Sequence, residues 1–216
     1  ACYALANIGE KAATNDVING LMTALGDGDE NVRASACEAL GNVGEKAATN
    51  DVINGIMTAL GDGDENVRAS ACYALGNMGE KAATNDVISG LMTALGDGDE
   101  NVRASACYAL ANIGEKAATN DVISGLMTAL GDENVRNSAC YALANIGEKA
   151  ATNDVINGLM TALGDGDENV RASACEALGN MGEKAATNDA INGILNLLDG
   201  SSYNSALCVS IALVHK

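Results

Sequence analysis

Seven cysteines recur at a single register: Cys2, Cys37, Cys72, Cys107, Cys140, Cys175 and Cys208. Such a row could bind metal or form disulfides, and each chemistry demands its own spacing. A zinc site draws on closely spaced Cys and His ligands, yet the chain has no CxxC and no Cys/His cluster, and its one histidine is His215. Carried at one register on stacked helices, the thiols lie about 8–10 Å apart, beyond the roughly 7 Å Cα separation a disulfide spans. The row therefore reads as small buried hydrophobes. Reduced, packed thiols suit a cytoplasmic setting, and neither a metal nor a cofactor is expected.

The acidic segment Asp27-Gly28-Asp29-Glu30-Asn31 resembles the start of a calcium loop, with Glu38 at position twelve. That loop needs glycine at position six, where Val32 stands, and the copies holding Tyr73 and Tyr108 lose the twelfth-position carboxylate. The carboxylates instead cap a helix. No nucleophile–base pair, phosphate-binding glycine loop or paired-carboxylate site stands out, and each Ser, Thr and Asp returns with the pattern. The chain is read as non-enzymatic.

The position that varies most between copies holds Tyr3, Glu38, Tyr73, Tyr108, Tyr141 and Glu176. Buried positions change conservatively, as in Val43, Met78, Ile113, Ile146 and Met181. Helical spacing sets the variable position beside Asn42, Asn77, Asn112, Asn145 and Asn180, on the face opposite the buried one. Tyrosine is common where a rigid surface meets a partner. Glu38, Tyr73, Tyr108, Tyr141 and Glu176, with the five asparagines, are the expected contact residues, although neutral drift on a solvated face would leave the same pattern.

The elements that position them follow from a repeat. Copies open at Ala1, Ala36, Ala71, Ala106, Ala139 and Ala174, spaced 35 residues apart except for 33 between Ala106 and Ala139. A period in this range marks an array of units that bury their apolar faces only against one another. In Thr49–Leu60, residues Val52, Ile53, Ile56, Met57 and Leu60 form one helical face, with Thr49 or Asn50 as cap and Gly61 as stop. Asp64–Gly79 predicts a second helix that buries Val67, Ala71, Ala74, Leu75 and Met78, with Gly79 ending it. Glu80–Thr84 is a further short turn. The chain has no proline to break helices, and no strand signal competes. Six first helices and seven second helices are expected.

The stretch LGDGDENVRASACYALGNMG (Leu60–Gly79) recurs along the chain. It resembles the HEAT repeat, particularly the variety shared with phycobilisome-lyase-like proteins. The resemblance implies an all-α solenoid, a right-handed superhelix whose second helices line the concave face. It also implies that Arg33, Arg68, Arg103 and Arg171 pair with Asp27, Asp62, Asp97 and Asp165, six residues upstream. The loop before Val135 lacks two residues, so Leu130 stands six residues before Arg136 and a different pairing is expected there. Bilin lyases enter as an enzymatic alternative by fold analogy alone, as does a scaffold part of a lyase-like or other enzyme.

The chain is read as one array over 1–216, with a partial repeat at 1–13 and units beginning near 14, 49, 84, 119, 152 and 187. A degenerate or capping helix is expected at 201–216. The net charge of −17 disfavours nucleic acid and anionic membranes, and no apolar run reaches the length of a membrane span. The expected role is a non-catalytic scaffold that binds a protein or peptide, of basic character, on its concave face. A spacer within a larger multidomain protein is the remaining alternative. Seven cysteines and helical Asn-Gly pairs such as Asn54-Gly55 favour recent gene duplication over consensus design.

Overall fold

The computed structural model describes residues 2–199, so the segment 201–216, with Cys208 and the expected seventh second helix, lies outside the described residues. The helices in chain order are α1 (Cys2–Ile8), α2 (Asn15–Ala24), α3 (Glu30–Val43), α4 (Asn50–Ala59), α5 (Glu65–Asn77), α6 (Asn85–Ala94), α7 (Glu100–Asn112), α8 (Asn120–Leu130), α9 (Arg136–Ile146), α10 (Asn153–Ala162), α11 (Glu168–Asn180) and α12 (Asn188–Asp199). Odd numbers are second helices and even numbers first helices. Each second helix runs into a short 3-10 turn, Gly79–Ala82 after α5 for example. The described residues contain no strand, and the fold is an all-α solenoid.

Local chemistry explains these boundaries. Thr49 caps α4, its hydroxyl accepting the Val52 N–H at 3.3 Å, and Asp64 caps α5 by accepting from Asn66 and Val67. Gly79 closes the second helix at φ +57°, a conformation that costs side-chain-bearing residues strain. Gly61 does not play that part after α4: the positive-φ glycines all follow second helices. First helices end by tightening instead, with Gly61 N–H donating to Thr58 O at 3.1 Å and Asp62 N–H to Ala59 O at 3.2 Å.

Two compact units divide the chain, Ala1–Ala117 and Ala118–Lys216. In the first unit α1, α3, α5 and α7 stack side by side, and α2, α4 and α6 each pack on the second helix that follows. In the second unit α9 stacks on α11, while α8 and α10 pack on α9 and α11 respectively. Val67, Ala71, Cys72, Ala74 and Leu75 on α5, and Met78 just after it, are wholly buried. Ile146 is only half-buried, unlike Val43, Met78, Ile113 and Met181 at the same position.

Glycines set how closely the layers approach. A Cβ at Gly76 would stand 2.8 Å from Ala109 Cα, and one at Gly41 the same distance from Ala74 Cα. Met57 and Leu60 stay half-buried because they reach forward to the next first helix, where a Cβ at Gly90 would meet Met57 Cε at 2.9 Å and Leu60 Cδ1 at 3.1 Å. Met22 and Leu25 meet Gly55 in the same way, so the Asn54-Gly55 pair lies inside a helix at a packing seat.

Candidate functional site

Acidic loops along one edge carry the joints between repeats. Asp62 Oδ1 accepts from Asp64 N–H at 3.0 Å and fixes the turn before α5. The same carboxylate receives Arg33 of the preceding repeat through Nε and Nη2, both at 2.8 Å. Arg68 engages Asp97 identically, at 2.8 and 2.9 Å. The arginine therefore pairs with the aspartate of the next repeat. Toward the residue six positions upstream it offers only Nη1, and only to backbone: Arg33 to Asp27 O at 2.9 Å, Arg103 to Asp97 O at 2.9 Å and Arg171 to Asp165 O at 2.8 Å. This corrects the within-repeat pairing implied by the family resemblance. The geometry stitches two repeats at the cost of one side chain, whereas a within-repeat pair would hold only its own turn. Hydrogen bonds from Arg33 and Arg68 hold the Asp62 and Asp97 carboxyls below the usual carboxylate range.

The shortened loop changes this joint as expected. Helix α9 starts only at Arg136, with Val135 before it and no side-chain cap. Arg136 Nε donates to Leu130 O at 2.9 Å, where its counterparts use Nη1, and its Nη1 meets Asp165 Oδ2 in place of the two-pronged contact. A shallow cavity of 340 Å³ opens beside it between Met127, Leu130, Gly158 and Thr161.

The opposite edge is electrically balanced. Lys46 pairs with Glu10 at 3.2 Å, Lys81 with Glu45 at 3.5 Å and Lys184 with Glu148 at 3.3 Å. These pairs are solvent-exposed and contribute little to stability.

The second-helix face lies between those edges. In the first unit, α3, α5 and α7 bring Glu38, Tyr73 and Tyr108 into a row at one register. Tyr73 and Tyr108 stack, with ring centroids 5.7 Å apart and planes inclined by 17°. The Tyr108 hydroxyl donates to Asn77 Oδ1 at 3.2 Å, and Tyr108 is half-buried while Tyr73 is 37% exposed. Asn42 is half-buried and donates to Ala6 O at 3.3 Å, serving a carbonyl near the C-terminus of α1. Asn112 is half-buried beside them. In the second unit, α9 and α11 bring Tyr141 and Glu176 to exposed neighbouring positions. Asn180 donates to Ala144 O at 3.1 Å, and Asn145 turns back on its own helix to Tyr141 O at 3.1 Å. A groove of 420 Å³ runs between these two asparagines and Gly147, Gly179 and Gly182.

The residues expected at the contact surface thus share one face within each unit, and several asparagines are committed to structure. Sequence reasoning missed the Tyr73–Tyr108 stack, the asparagine clamps and the Ser173 hydroxyl's 2.7 Å bond to Asn137. Asn137 carried a signal, since it replaces the alanine of the other VRAS segments.

Cys37, Cys72, Cys107, Cys140 and Cys175 are buried thiols outside any disulfide, and Cys2 is partly covered. Burial pushes Cys37, Cys72 and Cys140 up to about 12. Among the described residues no group of His, Cys, Asp and Glu could hold a metal ion, and no helix is long and apolar enough to cross a membrane.

Three solved structures illustrate the likeness of the fold. An engineered protein aligns with a TM-score of 0.73 at 23% identity, covering 94% of this chain and 96% of its own. A designed armadillo repeat protein in complex with the peptide (KR)4 aligns with a TM-score of 0.71 at 21% identity, covering 92% and 98%. A mutant of Kap121p aligns with a TM-score of 0.79 at 16% identity, covering 98% of this chain but 24% of that one. No curated protein matches the sequence. The profile of HEAT repeats matches over residues 18–91, 53–133, 88–157 and 123–204. With the repeat, the paired helices and the inter-repeat stitching in agreement, this chain belongs to the HEAT-repeat family.

Proposed function

We propose that the second-helix face is a docking surface for a protein or extended peptide of basic character, and that the chain is a non-catalytic scaffold. The observation that carries this reading is the face itself: exposed tyrosine beside exposed glutamate, Tyr73 with Glu38 and Tyr141 with Glu176. The described residues put no lysine or arginine in that row, because each arginine is drawn to the loop edge and each lysine to the opposite edge. An acidic background speeds encounter with a basic partner, and the aromatic rings supply contact area. The designed armadillo protein of like fold, solved in complex with the peptide (KR)4, supports this reading. Within the family, the loop and second-helix sequence favours the variety shared with phycobilisome-lyase-like proteins.

Titration with an alternating Lys-Arg peptide at physiological salt tests the proposal. Saturable binding, weakened several-fold by Tyr73→Ser together with Tyr141→Ser, is expected. Absence of binding, or binding indifferent to both substitutions, would overturn it.

A further inference from the structure

Resting on that reading, we infer that the interval between Glu38 and Tyr73 is a seat for one arginine side chain of the bound peptide. Tyr108 covers one face of the Tyr73 ring at a centroid distance of 5.7 Å. Glu38 stands to Tyr73 as Tyr73 stands to Tyr108: one repeat of 35 residues earlier, at the same register, on a helix in direct contact. The uncovered face of Tyr73 is therefore turned toward the repeat of Glu38. There a carboxylate replaces the ring that would have continued the stack.

A planar cation inserted at this point continues the stack and presents its edge to the carboxylate. Guanidinium meets both demands, since it stacks on aromatic faces and forks onto carboxylates, whereas ammonium is a compact and strongly hydrated charge. Among the described residues, the nearest cations and the neighbouring amide are engaged elsewhere. Arg33 on the same helix is held by Asp62 at 2.8 Å, Lys46 by Glu10 at 3.2 Å, and the Asn42 amide by Ala6 O at 3.3 Å. Tyr73 and Glu38 are both exposed, so the seat is open to a partner. The second unit has the tyrosine and the glutamate in reverse order, Tyr141 before Glu176, so there the glutamate follows the ring instead of preceding it. Discrimination between arginine and lysine is accordingly a property of the first unit.

Fluorescence anisotropy with labelled Arg-Ser and Lys-Ser repeat peptides of equal length tests this on the full chain at physiological salt. The arginine peptide is expected to bind about tenfold more tightly, the ratio a desolvated cation–π contact provides. Tyr73→Leu, which keeps apolar bulk but loses the ring, and Glu38→Gln should each reduce that ratio toward one. Glu65→Gln removes the same charge from the exposed loop edge and should leave the ratio unchanged, with circular dichroism confirming that every variant is folded. Equal affinity for the two peptides, or a preference that survives Tyr73→Leu, would overturn the arginine seat while leaving the docking face standing. Failure of both peptides to bind would overturn the face and the seat together.

Discussion

A thiol whose pKa stands at about 12 is silent toward alkylating agents at neutral pH, as the buried Cys37, Cys72 and Cys140 should be. Thiol reagents are expected to modify these residues only as the chain unfolds, and mass spectrometry of partly modified protein should show Cys37 and Cys72, which share one compact unit, labelled together. Their linkage to stability has a definite sign. The folded pKa lies above the ordinary 9.0, so the thiols' contribution is intact below pH 9.0 and declines as pH rises toward 12. The aspartates act at the other end of the scale. Asp62 and Asp97 are depressed by their arginines, so their contribution is present above the ordinary carboxylate range and is lost as pH falls through the folded values. Asp97→Asn should cost about 1 kcal/mol at neutral pH, the worth of a hydrogen-bonded charge at a partly covered site, and should flatten the acid limb of the stability profile. Tyr108 belongs with these structural groups. Its ring is stacked and its hydroxyl bonded, so Tyr108→Ala should lower the melting temperature, whereas an exposed position would have left it unmoved.

Glycine inside a helix ordinarily weakens it by about 1 kcal/mol relative to alanine, and Gly76 and Gly20 answer that cost differently. At Gly76 an added methyl group would meet the backbone of α7 at Ala109, which cannot swing aside. Gly76→Ala should therefore destabilise by about 1–3 kcal/mol despite its better propensity. At Gly20 a Cβ has nothing within 4 Å, so Gly20→Ala should stabilise by about 0.5–1 kcal/mol. Chemical denaturation of the two variants side by side checks both signs. At this scale the sequence was most legible. Apolar spacing, Thr and Asp caps and the glycine after each second helix placed the helices, because each is a local signal within one turn. What lay hidden joins residues a whole repeat apart. Arg33 reaches Asp62 rather than Asp27, and Asn42 reaches Ala6 O, by contacts that depend on how repeats stack. Gly61 misled for a related reason: a glycine after an apolar run looks like a left-handed stop, yet the chain simply tightens through it.

Contacts in the array run from each repeat to its neighbour, within units spanning Ala1–Ala117 and Ala118–Lys216. Stability in such a chain is a sum of repeat and neighbour terms, so distant segments have no reason to melt together. Calorimetry is expected to give a van't Hoff enthalpy smaller than the calorimetric one, with Asp97→Asn and Gly76→Ala perturbing the transition of the first unit. A single transition with equal enthalpies would count against that picture. The face that reads as functional was legible in its residue types, since Tyr73, Tyr141, Glu38 and Glu176 are exposed as their spacing predicts. The pairing of two tyrosines into one platform was not, because it needed the lateral distance between helices as well as their phase.

The Asn-Gly pair at the Met22–Leu25 seat also bears on how the molecule ages. Asn-Gly is the dipeptide most prone to deamidation, since the glycine nitrogen attacks the asparagine side-chain carbonyl, expels ammonia and closes a succinimide ring. In α4 that nitrogen belongs to helical backbone, and the Thr58 hydroxyl braces the same turn by donating to the main-chain carbonyl of Asn54 at 3.1 Å, so the helical backbone holds the nitrogen away from the cyclic geometry. Asn157-Gly158 in α10 is held alike, with the Thr161 hydroxyl donating to the main-chain carbonyl of Asn157 at 3.1 Å. Folding thus acts as a chemical preservative. Isoaspartate should accumulate at these sites at a rate set by transient local opening, and peptide mapping of protein incubated for weeks, native against urea-unfolded, would measure that opening repeat by repeat.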